Sequence, residues 1–176
     1  MSNLSKSLSV SLAGFILLAG FSAFTQDKTK KVPNKLRSAT ITAILTDAEY
    51  SKDFVVVPSE ELAKSEYAGI LKFYTENALK SLNMTPRAEG KLKVTIDLQV
   101  TQMKRKQVIY SMVATEGGKE KWRVSSNCTA ALKLETDSLL PGLVACALSH
   151  VGQTKTSPLM NLGKYPQYLT AVYGEK

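Results

Sequence analysis

The chain has 176 residues, 44% of them hydrophobic, with a formal net charge of +8, two cysteines and one histidine. That is the size of one ordinary domain with a proper core. One histidine with two distant cysteines excludes a structural zinc site, which needs three or four clustered ligands.

The N-terminus reads first as an address. Lys6 is the only charge before Asp27, and the uncharged stretch Leu8 to Phe24 carries Val10, Leu12, Phe15, Ile16, Leu17, Leu18 and Phe21. A basic start, a short apolar run and small residues near its end predict a cleavable signal peptide over residues 1–25. The competing reading is a membrane anchor, but a span wants about 20 apolar residues and this run is interrupted by serines and glycines. No cysteine precedes Cys128, so a lipid-bearing N-terminal cysteine is not expected, and the product is expected in the periplasm or outside the cell. Its positive charge favours acidic partners, in an exported protein anionic lipid or cell-wall polymer rather than nucleic acid; the plain alternative is that charge keeps it soluble.

Residues 26–37, with Lys28, Lys30, Lys31, Lys35 and Arg37 around Pro33, read as a flexible basic arm, and residues 38–176 as a single domain. A first strand is expected over Ser38–Thr46 and a second at Phe54–Val57, stopped by Pro58. Ser59 then caps one long helix to Leu82, whose buried stripe is Ala63, Tyr67, Ile70, Leu71, Tyr74, Ala78 and Leu82. Lys91–Thr101 alternates strictly, with Leu92, Val94, Ile96, Leu98 and Val100 facing the core. Val108–Thr115, a Gly117-Gly118 turn and Lys121–Glu135 complete an antiparallel three-strand meander. A second helix follows Asp137 and Ser138, burying Leu139, Leu140, Leu143, Val144, Ala147 and Val151 and stopping at Gly152. Gln153–Pro158 reads as a polar loop, and Pro166–Tyr173 as a short terminal helix. The expected fold is α+β: an antiparallel sheet, the meander plus N-terminal strands, with the long helix and the C-terminal helices packed on one face.

No motif singles out a catalytic centre. Cys146 and His150 lie four residues apart on one helix side, the spacing a small secreted hydrolase could use, yet a histidine near a helix C-terminus is also favoured by the helix dipole. Gly117-Gly118-Lys119 lacks the earlier glycine and the following Ser or Thr of a phosphate loop, and Glu120 stands in the latter place. The sharpest basic cluster is Lys104-Arg105-Lys106, extended on the exposed sheet face by Lys93, Lys121, Arg123 and Lys133. It reads either as an anionic-ligand patch or as charge guarding a sheet edge and turn. Cys128 has inward strand parity and Cys146 lies on the next helix, so they are either a disulfide or two buried thiols.

The extended segment ending at Pro58, the helix to Leu82, the strand Leu92-Lys93-Val94-Thr95-Ile96-Asp97-Leu98 and the run Leu139-Leu140-Pro141-Gly142-Leu143-Val144-Ala145-Cys146-Ala147 carry a resemblance. In this layout the chain, over residues 38–152, resembles a diffuse group of bacterial periplasmic and lipoprotein envelope domains similar to the N-terminal domain of TolB. The resemblance implies an envelope binding or assembly role with no catalytic residues and no cofactor. The chain departs from the lipoprotein members in lacking the lipid-bearing cysteine. The expectation is therefore a non-enzymatic exported domain binding a protein or an anionic polymer of the envelope.

Overall fold

A computed structural model describes residues 32–174. The expected signal peptide and most of the basic arm lie outside the described residues. Seven strands form one sheet in the order β3-β2-β4-β5-β6-β1-β7. In chain order these are β1 (Ser38–Leu45), β2 (Asp53–Pro58), β3 (Thr85–Pro86), β4 (Leu92–Gln102), β5 (Lys106–Glu116), β6 (Lys119–Ala130) and β7 (Lys155–Asn161). The helices are α1 (Glu60–Ala63), α2 (Ala68–Lys80), α3 (Leu140–Leu148) and α4 (Pro166–Tyr173), with a 3-10 turn at Leu162–Lys164.

The fold is α+β with a mainly antiparallel sheet, but the sheet is mixed and wider than a meander with appended strands. Strands β4, β5 and β6 pair antiparallel in succession. Strand β2 lies parallel to β4, from Phe54 beside Leu92 to Pro58 beside Ile96. Parallel neighbours need a crossover, and α1 and α2 supply it. Strand β1 pairs with β6 at the far side, so the two N-terminal strands are not neighbours.

The single long helix expected from Ser59 to Leu82 is broken in two. Ser59 does cap α1, its Oγ accepting from Leu62 N at 3.2 Å while donating to Asp97 Oδ1 at 2.6 Å. Ser65 then ends the run: its Oγ donates to the Leu62 carbonyl at 2.8 Å and accepts from Tyr67 N at 3.3 Å. A serine that bonds the local backbone competes with the helical ladder. Asn83, at φ +59°, turns the chain out after α2.

The core lies between the helices and one sheet face. Ile41, Phe54, Val94, Ile96, Tyr110, Met112, Trp122 and Val124 face Leu71, Tyr74 and Leu79 of α2 and the whole of α3. The strand alternation of β4 holds for Leu92, Val94 and Ile96, but Leu98 is only half-buried and Val100 exposed, because β4 runs past the helical layer. Three buried hydroxyls are answered inside the core: Thr75 and Tyr110 share a 2.6 Å bond, and Ser126 donates to the Leu143 carbonyl at 2.8 Å.

Helix α3 departs from the amphipathic pattern, since all nine of its residues are buried. A helix apolar all round must be covered on every side. The outer cover includes part of the supposed flexible arm, which is docked rather than loose over residues 32–37. Lys35 N donates to the Ser138 carbonyl at 2.7 Å, Tyr173 Oη donates to the Val32 carbonyl at 2.7 Å, and Leu36 is buried. Gly142 makes this close approach feasible, because a Cβ there would stand 2.5 Å from Leu36 Cβ.

The segment expected as a polar loop, 153–158, instead leads into the edge strand β7. Residues 158 and 159 fall at the irregularity where the register against β1 shifts between Ala39 and Ile41. Proline, which has no N–H to give a ladder, is tolerated at an edge or a bulge. The consecutive polar residues Lys155, Thr156 and Ser157 suit an edge strand, and they hid it.

Candidate functional site

A cleft of about 320 Å³ opens between the C-terminal end of α3, the edge strand β7 and the start of α4. Its walls carry Ser149, His150 and Gln153 from the end of α3, Lys155 and Ser157 from β7, and Lys164, Tyr165 and Tyr168 from the 3-10 turn and α4. No aspartate or glutamate among the described residues lines it. Among the described residues neither Lys155 nor Lys164 makes an ion pair, whereas Lys121 and Arg123 both do. The cleft is therefore a site of uncompensated positive charge surrounded by neutral donors. Tyr165 and Tyr168 form a tilted aromatic pair at its rim, with centroids 6.0 Å apart.

His150 is buried and tied locally. Its Nδ1 lies 2.6 Å from Ser149 Oγ, and that oxygen also lies 2.6 Å from the Cys146 carbonyl. A hydroxyl has one proton, and with that proton on the carbonyl the imidazole donates from Nδ1. Burial, and Lys155 nearby, hold the His150 pKa below its ordinary value, so the ring is neutral near pH 7. No carboxylate is bonded to the ring, so the orienting third member of a triad is missing among the described residues.

The two cysteines are free thiols, and the disulfide considered from sequence is not formed. Cys128 sits on the inward face of β6, as its strand parity indicated, and Cys146 lies in fully buried α3. Burial raises both thiols, Cys128 to about 11 and Cys146 to about 12. Cys146 does not reach the cleft that holds His150, so the pair inferred from their spacing has no shared surface.

The basic cluster is taken apart by the fold. Lys104 and Arg105 stand exposed at the tip of the β4–β5 hairpin beside Met103, which is 79% exposed. Lys106 turns inward and is buried, its Nζ donating to the Leu134 carbonyl at 2.6 Å and lying 3.4 Å from Thr136 Oγ1. Lys93 pairs across from Thr115, nine residues along β4 from Gln102, which puts it roughly 30 Å from the hairpin tip. Lys121 and Arg123 lie at Lys93's end, where Lys121 bonds Asp47 at 2.5 Å and Arg123 makes a two-pronged pair with Glu120, both bonds 2.7 Å. The six residues thus form no single patch, and half of them are already satisfied inside the protein.

Sequence reasoning missed the cleft because its residues come from a stretch read as loop and from the flank of a helix. The signal available was the clustering of Lys155, Lys164, Tyr165 and Tyr168 without an intervening acid.

No family model and no curated protein matches the chain. Among solved structures it is similar to the PelC dodecamer from Paraburkholderia phytofirmans, at 13% identity over 65% of this chain and 99% of that one, with a TM-score of 0.45. It is also similar to a PDZ domain protein from Parabacteroides distasonis, at 10% identity over 69% of this chain and 37% of that one, with a TM-score of 0.54. The second likeness speaks to the fold alone; the first is too distant to carry an argument.

Proposed function

We propose that this chain is an exported, non-enzymatic domain of the cell envelope that binds an anionic partner through the α3–β7–α4 cleft. The observation that carries the reading is the pair Lys155 and Lys164, which among the described residues have no ion-pair partner and stand beside a neutral His150 in a cleft lined by no described carboxylate. Two cations without counter-ions in one concave site attract and hold an anion. The signal-like leader supports a partner in the periplasm or outside the cell, and a cleft that admits one small group favours a polymer of the envelope over a protein partner. A hydrolase built on Cys146 and His150 is the rival reading. The burial of Cys146 and its raised thiol weigh against it, since the thiolate is the nucleophile.

The test is retention on envelope polymer. Full-length protein with Lys155→Glu and Lys164→Glu should lose retention on the anionic cell-wall fraction while keeping its melting temperature. Undiminished, salt-insensitive retention of the double variant would refute the cleft reading. A lost phenotype in His150→Ala with unchanged folding and unchanged retention would favour the hydrolase.

A further inference from the structure

Resting on the cleft reading above, we infer that the ligand's unit is an acidic sugar, a ring bearing a carboxylate or phosphate, rather than a bare anionic chain. The cleft has three chemically distinct walls. Lys155 and Lys164 supply point charges for the acidic group. The Ser157 side chain makes no hydrogen bond among the described residues, leaving its hydroxyl for a ligand. Asn161 Oδ1 is occupied by Gly163 N at 3.0 Å and Gln153 Nε2 by the Ser149 carbonyl at 3.1 Å, so Asn161 keeps its amide donors and Gln153 its carbonyl acceptor. That mixture of spare donors and acceptors suits hydroxyls, which both give and accept, and is wasted on a phosphate chain, which only accepts.

The third wall is aromatic. Tyr165 is 41% exposed, and among the described residues its one aromatic neighbour is Tyr168, tilted at 40°. A ring at a wet rim offers an apolar face to the C–H side of a sugar. The volume, about 320 Å³, is at the lower end of small-ligand clefts, ~300–1,000 Å³. It holds about one ring while the rest of a polymer passes over the sheet edge at β7.

Titration calorimetry at low salt, on the full mature chain, separates the arms. The probes are a glucuronate-containing tetrasaccharide, a phosphorylated tetrasaccharide, a neutral tetrasaccharide, inorganic polyphosphate and poly-glutamate. Binding of either acidic sugar, with the neutral sugar and the two sugar-free polymers at least about tenfold weaker, is the expected result. Which acidic sugar binds identifies the acidic group. Tyr165→Ala should weaken the sugar about tenfold and Tyr165→Phe should not, while Lys155→Glu with Lys164→Glu should abolish it. Polyphosphate or poly-glutamate binding as tightly as the sugars, indifferent to Tyr165→Ala but lost in the lysine variant, would overturn the sugar inference and leave the anionic cleft standing. Binding that the lysine variant does not touch would overturn both.

Discussion

Replacing Lys106 by methionine separates a surface patch from a structural tie. The substitution keeps the length of the side chain and removes the ammonium that reaches the Leu134 carbonyl at 2.6 Å. A hydrogen bond to a charged group is worth about 1.5–3 kcal/mol net, and an acceptor left buried costs about 1–3 kcal/mol. Methionine recovers part of this, because an ammonium no longer has to be stripped of water at a site where Lys106 is 6% exposed. The expected cost is about 1–2 kcal/mol, a fall of about 3–6 °C in melting temperature for a domain of this size. Lys104→Gln with Arg105→Gln, both at exposed positions at the tip of the same hairpin, should stay within about 0.5 kcal/mol. Urea unfolding followed by the fluorescence of Trp122, buried on the neighbouring strand, reads all three proteins. If Lys106→Met is as stable as the parent, or the Lys104/Arg105 variant loses as much, the inward assignment of Lys106 is wrong.

Gly142→Ala should destabilise by about 1–3 kcal/mol despite alanine's better helix propensity, because its Cβ would stand 2.4 Å from Asn34 Oδ1 and 2.5 Å from Leu36 Cβ; faster amide exchange at Lys35 and Leu36 would show the docked segment lifting. Cys128 and Cys146 should both resist a thiol reagent in the folded protein at pH 8 and both react once it is unfolded without reductant, and one or no reactive thiol after unfolding would contradict the free, buried pair. His150 has a folded pKa below its ordinary value of 6.5, so the unfolded chain takes the proton first; stability should be full above about pH 6.5 and fall as pH drops below it. Chemical denaturation from pH 7.5 to 5 should show this slope in the parent and a flatter one in His150→Gln.

Local sequence determined the elements whose signal is local. Strict alternation placed β4, and Gly117-Gly118, at φ +57° and +76°, set the β5–β6 hairpin because that turn needs left-handed residues in sequence. Pro166 to Tyr173 reads as a helix and is one, closed by Gly174 at φ +72°. The inward parity of Cys128 was legible for the same reason. What the tertiary structure alone decided is every fact that depends on a neighbour distant in the chain. The parallel pairing of β2 with β4 comes from the crossover, and β7 is a strand only because β1 offers it an edge, over 110 residues away. Helix α3 is buried all round because residues 32–37 fold back over it, which its own composition hinted at without naming the cover. The basic residues show the point most sharply. Lys104, Arg105 and Lys106 are consecutive, yet a strand's alternation and the carbonyl of Leu134 send the third inward. Lys155 and Lys164, which no motif joined, meet in one cleft because a sheet edge and a helix start converge there.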